Sequence, residues 1–197
     1  MDWPKRKLSY MKHSDTNVKY APFNRSYWVV PGKLIAGCYP GDKDKREADK
    51  KLTALINSGI RHVISLMEPD ERDHSGGLFS SYDDHMESLA KEMKVSVTFD
   101  QIPIKDQSVP SERQMVRILN QIDLCIRLGK PVFVHCWGGR GRTGAVVGCY
   151  LARHGIASGK DALAKMVELR RKTVDAGLPS PETSKQIQIV VNWQAGK

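Results

Sequence analysis

Apolar positions along the chain alternate between short strand-like runs and segments with helical spacing. Tyr27-Trp28-Val29-Val30 and Lys33-Leu34-Ile35-Ala36 flank Pro31-Gly32, a turn dipeptide, and predict a β-hairpin. Leu52, Leu55 and Ile56 recur one helical turn apart and Gly59 stops the pattern, which predicts a helix over 45–57. Arg61-His62-Val63-Ile64-Ser65-Leu66, rich in β-branched residues, reads as a strand, and the polar stretch 68–84, with Pro69, Gly76, Gly77 and clustered acids, as a long loop. A short helix over 85–93 precedes a strand over 95–99. Ser111-Glu112-Arg113-Gln114 has the pattern of a capping box, ahead of Met115, Ile118, Leu119, Ile122 and Ile126 on one helical face.

Pro131-Val132-Phe133-Val134 is uninterruptedly apolar, as a central strand buried on both faces requires. A helix through Val146, Val147, Tyr150 and Leu151 runs to Gly155, and Ser158 caps another that carries Leu163, Met166, Val167 and Leu169. Ser180-Pro181-Glu182-Thr183 predicts a last helix with proline at its first position, before Ile187, Val190 and Val191. This alternation predicts an α/β fold: a central, mostly parallel sheet of about five strands flanked by helices. Residues 1–22 are polar, basic and without period, so they read as an irregular arm, and 23–197 as a single domain.

Composition narrows the function classes. At 40% hydrophobic and 27% charged residues, the 197-residue chain is neither disordered nor fibrous in type. Its net charge of +9 favours anionic partners, yet no basic stripe with interleaved aromatics is present, and nucleic acid is not expected. No apolar run reaches membrane-spanning length and the first residues lack the apolar middle of a signal peptide. A soluble, cytoplasmic protein without integral membrane contact is therefore expected. Cys38, Cys125, Cys136 and Cys149 form no C-x-x-C pair and read as reduced thiols. His74 and His85 lie near Asp73, Asp83 and Asp84 without repeated ligand spacing, so no metal is assigned.

The segment after the apolar run carries the chemistry: His135-Cys136-Trp137-Gly138-Gly139-Arg140-Gly141-Arg142-Thr143-Gly144. A strand ending near His135 and a helix starting near Arg142 leave a glycine-rich turn whose amides can point inward as an anion nest. The helix N-terminus adds positive potential at the same spot, which favours a bound phosphate and the thiolate form of a cysteine. Cys136 is thus the candidate nucleophile. Arg142 offers a planar fork to two phosphate oxygens, Thr143 a hydroxyl near the sulfur, and His135 a hydrogen bond that steadies the cysteine backbone. Trp137, Gly138, Gly139, Arg140, Gly141 and Arg142 form the candidate substrate-binding loop, and a nucleotide loop of the Gly-Lys-Ser/Thr type is absent.

This stretch resembles the signature of the cysteine-dependent protein tyrosine phosphatases, H-C-x5-R-S/T, and in its C-W-G-G-x-G-R-T form the compact dual-specificity branch, including kinase-associated phosphatase and bacterial and phage relatives. The likeness runs from about Tyr27 to Trp193. It implies a dual-specificity-phosphatase-like fold and hydrolysis of phosphate monoesters through a phosphocysteine, with no cofactor or metal. It also implies a general acid on a mobile loop; Asp106, between Ile102-Pro103-Ile104 and Pro110, matches that position better than Asp100. The Ser180–Gln186 stretch resembles a segment that approaches the catalytic loop in dual-specificity members. There Gln186 either helps to place the hydrolytic water or is an exposed first-turn residue, and Arg170 or Arg171 supports the region. A phosphorylated protein or peptide is the leading partner, because Trp137 resembles the aromatic of the kinase-associated type. Arg140 alone matches the basic positions of phosphoinositide phosphatases, making an inositol or lipid phosphate the second substrate class. A catalytically silent phosphate-binding module is the reading from another class. Cys38 and Cys149 are either resolving partners for an oxidised Cys136 or buried apolar cysteines. No oligomeric state is read.

Overall fold

A computed structural model describes residues 21–197; most of the 1–22 arm therefore lies outside the described residues. Among them, five strands and six helices occur in the order β1 (Ser26–Val30), β2 (Leu34–Cys38), α1 (Lys45–Asn57), β3 (His62–Ser65), α2 (Asp83–Glu92), β4 (Thr98–Gln101), α3 (Glu112–Arg127), β5 (Val132–Cys136), α4 (Gly141–Arg153), α5 (Gly159–Arg170) and α6 (Ser184–Asn192). The sheet order is β1-β2-β5-β3-β4. Only the β1–β2 hairpin is antiparallel; β2–β5, β5–β3 and β3–β4 are parallel, as the alternation of strands and helices predicts.

Strand alternation sends successive β5 side chains to opposite faces. Val132, Val134 and Cys136 join the core under α3–α6, whereas Phe133 joins the core under α1 and α2. Every residue of β5 is buried, which explains its unbroken apolar run. Helix α4, fed directly by β5, is buried from Gly141 to Ala152. Its small residues permit this: a Cβ on Gly148 would lie 2.5 Å from both Val190 methyls on α6. No helix among the described residues is long and apolar enough to cross a membrane.

Several local expectations need correction: Ser158 makes no side-chain cap bond at α5, and Gln114 donates to the Pro103 carbonyl instead of closing a capping box with Ser111. The strand predicted over 95–99 begins at Thr98, opposite His62, because the Val95 amide is still bonded to Ala90 at the end of α2 and Val97 fills the α1–α2 core. The last helix is capped by Thr183 rather than by Ser180. Thr183 and Gln186 form a reciprocal capping box, while the Ser180 hydroxyl donates to the Arg140 carbonyl at 2.9 Å.

One polar side chain in the core bears on the site. His135 is fully buried, with Nδ1 3.3 Å from the Cys136 carbonyl and Nε2 2.5 Å from the Tyr82 hydroxyl. A carbonyl only accepts, so Nδ1 carries the proton and Nε2 accepts from the phenol. Burial lowers the His135 pKa to about 4, the Cys136 carbonyl pulls it partly back, and Arg142 lowers it further. Burial also raises Tyr82 well above its usual value, keeping the phenol a donor.

This predicts a specific acid sensitivity. Between the ordinary histidine value near 6.5 and about 4 the unfolded chain binds a proton that folded His135 refuses. Stability is therefore lost as pH falls through that window, by about 3 kcal/mol from this group. Denaturant titrations at pH 7 and pH 4 should show a smaller difference in His135→Asn than in the parent, and equal differences would refute the assignment.

Candidate active site

Strand β5 stops at Cys136 and α4 begins at Gly141, so four residues make the turn between them. Its carbonyls are held outward: Trp137 accepts from the Tyr39 amide at 3.0 Å, Gly138 from Arg25 Nη2 at 2.9 Å, and Arg140 from the Ser180 hydroxyl. In a planar trans peptide the N–H opposes the C=O, so the amides of Gly138, Gly139 and Gly141 turn to the inner side. Gly139 has φ +73°, and a Cβ there would lie 2.5 Å from the Cys38 nitrogen. Only glycine lets the loop rest on β2 in this conformation. The result is a ring of inward amides at the N-terminus of α4, with Cys136 at its base, 2% exposed.

Arg142, in the first turn of α4, is also 2% exposed. Its Nη1 and Nη2 meet the two Glu71 carboxylate oxygens at 2.6 and 2.7 Å, a bidentate pair. Nη1 also reaches the carbonyls of Ile104 at 3.1 Å and Leu66 at 3.4 Å. Asp106 Oδ1 lies 3.0 Å from Nη2. Buried Nε–H has no hydrogen-bond partner among the described residues. The edge formed by Nε and Nη2 therefore carries only Asp106. Burial opposes the positive charge, but Glu71 hydrogen bonds, then the charges of Cys136, Glu71 and Asp106, outweigh it and raise the Arg142 pKa. The Cys136 sulfur therefore lies close enough to the guanidinium to interact with its charge. The Thr143 hydroxyl is buried without a hydrogen-bond partner among the described residues, the Cys136 sulfur included, a state that costs roughly 1–3 kcal/mol.

The two candidate acids part company. Asp106 is brought to Arg142, whereas Asp100 pairs with His62 Nε2 at 3.1 Å on the outer strands. Gln186 is 1% exposed, which overturns the exposed first-turn reading. Its Oε1 accepts from the amides of Glu182 and Thr183, and its Nε2 donates to the Ser108 carbonyl at 3.0 Å, tying α6 to the loop that carries Asp106. Arg170 is buried and donates to the carbonyls of Leu178 and Asp175, shaping the approach to Ser180; Arg171 is exposed. The Arg140 guanidinium is held by Glu182 at 2.5 Å and lies 3.8 Å from Asp175. The Trp137 ring packs on His74 at 4.3 Å and on Phe79 at 5.4 Å. His85 instead pairs with Asp49, so the two histidines of the metal reading have separate partners. Cys38 is the cross-strand neighbour of Cys136, while Cys149 faces α6; all four cysteines are free.

Sequence reasoning missed Glu71 and Tyr82. Glu71 stands in the long 68–84 loop, among Glu68, Asp70 and Asp73, and nothing local distinguishes it from those acids.

The family described as "Swiss Army Knife protein, DSP-PTPase phosphatase domain" matches residues 23–183. The chain is 36% identical over 122 residues to phosphatidylglycerophosphate phosphatase PTPMT2 of Arabidopsis thaliana, a match covering 61% of this chain and 45% of that protein. To dual specificity protein phosphatase CDC14B of Mus musculus it is 23% identical over 137 residues, covering 70% of this chain and 26% of the relative. The chain thus spans less than half the length of these two curated relatives. Among solved structures, the active form of Tk-PTP superposes with a TM-score of 0.59 at 26% identity, over 84% of this chain and 93% of that one. With the signature loop seated between β5 and α4 of that shared fold, the chain belongs to the dual-specificity branch of the cysteine-dependent protein tyrosine phosphatase superfamily.

Proposed function

We propose that this protein hydrolyses phosphate monoesters through a phosphocysteine on Cys136, using Arg142 as phosphate clamp and Asp106 as general acid. The observation that carries the reading is the Nε–Nη2 edge of Arg142, whose Nε–H has no hydrogen-bond partner among the described residues and whose Nη2 lies 3.0 Å from Asp106. That edge is a fork with the spacing of two phosphate oxygens.

The steps follow from these positions. The Cys136 thiolate attacks phosphorus, the P–O bond to the leaving group breaks, and Asp106 delivers its proton to the departing oxygen. Arg142 and the amides of Gly138, Gly139 and Gly141 stabilise the equatorial oxygens as charge redistributes. Asp106, now a carboxylate, takes a proton from water, which attacks phosphorus, breaks the S–P bond and releases phosphate. The Thr143 hydroxyl, unpartnered in the structure, is the donor proposed for the thiolate. Neutral His135 holds the Cys136 carbonyl, and Gln186 holds the acid loop through Ser108.

For the substrate, Arg140 gives little support to a headgroup bearing several phosphates, because Glu182 already engages its guanidinium. The CDC14B relative supports the phosphoprotein reading that Trp137 suggests, and the PTPMT2 relative supports a lipid phosphate. Rates on a phosphotyrosine peptide, a phosphothreonine peptide and a phosphoinositide distinguish these readings. Intact Cys136, Arg142 and Asp106 argue against a silent binding module, and vanadate-sensitive hydrolysis of an aryl phosphate decides that point.

Two substitutions test the machinery. Cys136→Ser should abolish turnover while substrate still binds; persisting turnover removes Cys136 from the mechanism. Asp106→Asn should lower kcat on an alkyl phosphate by about 10²- to 10⁴-fold, yet much less on dinitrophenyl phosphate, whose leaving group needs no proton. Equal losses on both would take the acid role away from Asp106.

A further inference from the structure

Beside the amide ring lies a cavity of about 650 Å³, within the size range of small-molecule pockets. Its walls include Phe23, Tyr39, Leu78, Phe79, Trp137 and Val174. Trp137, the residue after Cys136, forms part of its wall. Glu71, which grips Arg142, accepts the Phe79 amide at 3.2 Å, and an Arg72–Leu78 bridge joins the two limbs of that loop. Phe79 in turn packs edge-on against Trp137, the residue after Cys136. Phosphate pocket and aromatic groove thus share the 71–79 loop.

The three lysines of this groove have carboxylate partners within the protein. Lys43 pairs with Asp73 at 2.8 Å, Lys50 with Glu47 at 2.5 Å and Lys51 with Asp42 at 2.8 Å. Arg25 donates to Gly138 and sits 3.5 Å from Asp175, and the Tyr39 hydroxyl donates to the Ser80 carbonyl at 2.5 Å. A peptide backbone laid here would have to break these pairs to satisfy its own amides. What the groove offers is apolar surface, and Leu78 and Val174 extend it outward, at 53% and 71% exposure.

We propose that this groove is the leaving-group subsite, and that the substrate class is a phosphate monoester carrying a long apolar chain, as in a lipid phosphate. The inference rests on the phosphatase reading and assigns the subsite which that reading leaves open. The phosphate sits on Arg142 and the amide ring, while the chain runs past Trp137 into the aromatic walls.

The test uses straight-chain alkyl phosphates from butyl to dodecyl, each below its micelle concentration, with para-nitrophenyl phosphate as a chainless reference and the full chain as enzyme. kcat/KM should rise with length by roughly fourfold per methylene buried, until the groove is filled. The double variant Leu78→Asp, Val174→Asp alters only exposed rim positions. It should lose about tenfold or more on dodecyl phosphate and remain within about twofold of the parent on the reference substrate. A flat length series, or equal losses on both substrates, overturns the proposal. So does a phosphotyrosine peptide that outperforms every alkyl phosphate and suffers the same loss in the rim variant. Failure to hydrolyse para-nitrophenyl phosphate sinks the phosphatase reading instead. The groove is then judged by calorimetry, where dodecyl phosphate must bind the parent more tightly than butyl phosphate and the rim variant must erase that difference.

Discussion

The bidentate contact between Arg142 and Glu71 sets the geometry on which the site depends. It joins the first turn of α4 to the loop after β3 across 71 residues of sequence, and both side chains are nearly buried. A guanidinium is planar, so fixing Nη1 and Nη2 on one carboxylate fixes the direction of the remaining edge. Removing either partner would leave a buried charge uncompensated, a loss of about 3–5 kcal/mol. The carbonyls of Leu66 and Ile104, at the ends of neighbouring strands, hold Nη1 from the other side. The clamp is therefore aligned by the sheet itself before any anion arrives.

The rest of the site is arranged around that fixed edge. The carbonyls of Trp137, Gly138 and Arg140 are drawn outward by donors from the residue after β2, the segment before β1 and the segment before α6. Peptide planarity then directs the opposite amides inward. Glycine is needed where the loop meets β2, at Gly139, and where α4 meets the neck of α6: a Cβ on Gly144 would lie 2.5 Å from the Ser180 hydroxyl. His135 remains uncharged on the far face of β5, so it steadies the Cys136 backbone without adding a second cation beneath the loop. Asp175 and Glu182 take up Arg140, and Asp175 also takes up Arg25 and Arg170. Arg25 and Arg140 are thus engaged by carboxylates, as Arg142 is by Glu71, and the Nε–H of each of the three has no hydrogen-bond partner among the described residues.

Much of this was readable because it is local. Strand β5, the glycine turn and α4 are contiguous, so the H-C-x5-R-T spacing alone announces a phosphate cradle at a helix N-terminus. The helices over Lys45–Asn57 and Glu112–Arg127 follow from apolar spacing, with Gly59 stopping the first and Ser111 capping the second. Glu71 was hidden because its role depends on tertiary contact with Arg142, and four acids share its stretch of loop. Tyr82 reads as an ordinary residue before a helix, and only the fold sets its hydroxyl on His135. The start of β4 was misplaced because Val95 and Val97 alternate like strand residues while serving helix closure and core packing. Gln186 was ambiguous because a capping residue has the same local pattern whether or not a third element covers it. The loop at Ser108 is that third element.

Under the proposed mechanism, Asp106 and an arriving phosphate compete for the same Arg142 nitrogen. The Asp106 carboxyl is 46% exposed and meets Arg142 through a single contact at 3.0 Å. A phosphate monoester brings up to two charges and can meet Nε and Nη2 together, so it satisfies the unpartnered Nε–H that Asp106 leaves bare. Exchange therefore favours the substrate. Displaced from Nη2, Asp106 stays near the pocket because Gln186 anchors Ser108, two residues on, and Gln114 holds the Pro103 carbonyl, three residues back. The short tether keeps the carboxyl at the mouth, where the ester oxygen of a bound substrate must point once the other phosphate oxygens face the amide ring. Under the proposed mechanism, the contact that occupies Arg142 in the empty site thus stations the acid beside the leaving group in the filled one.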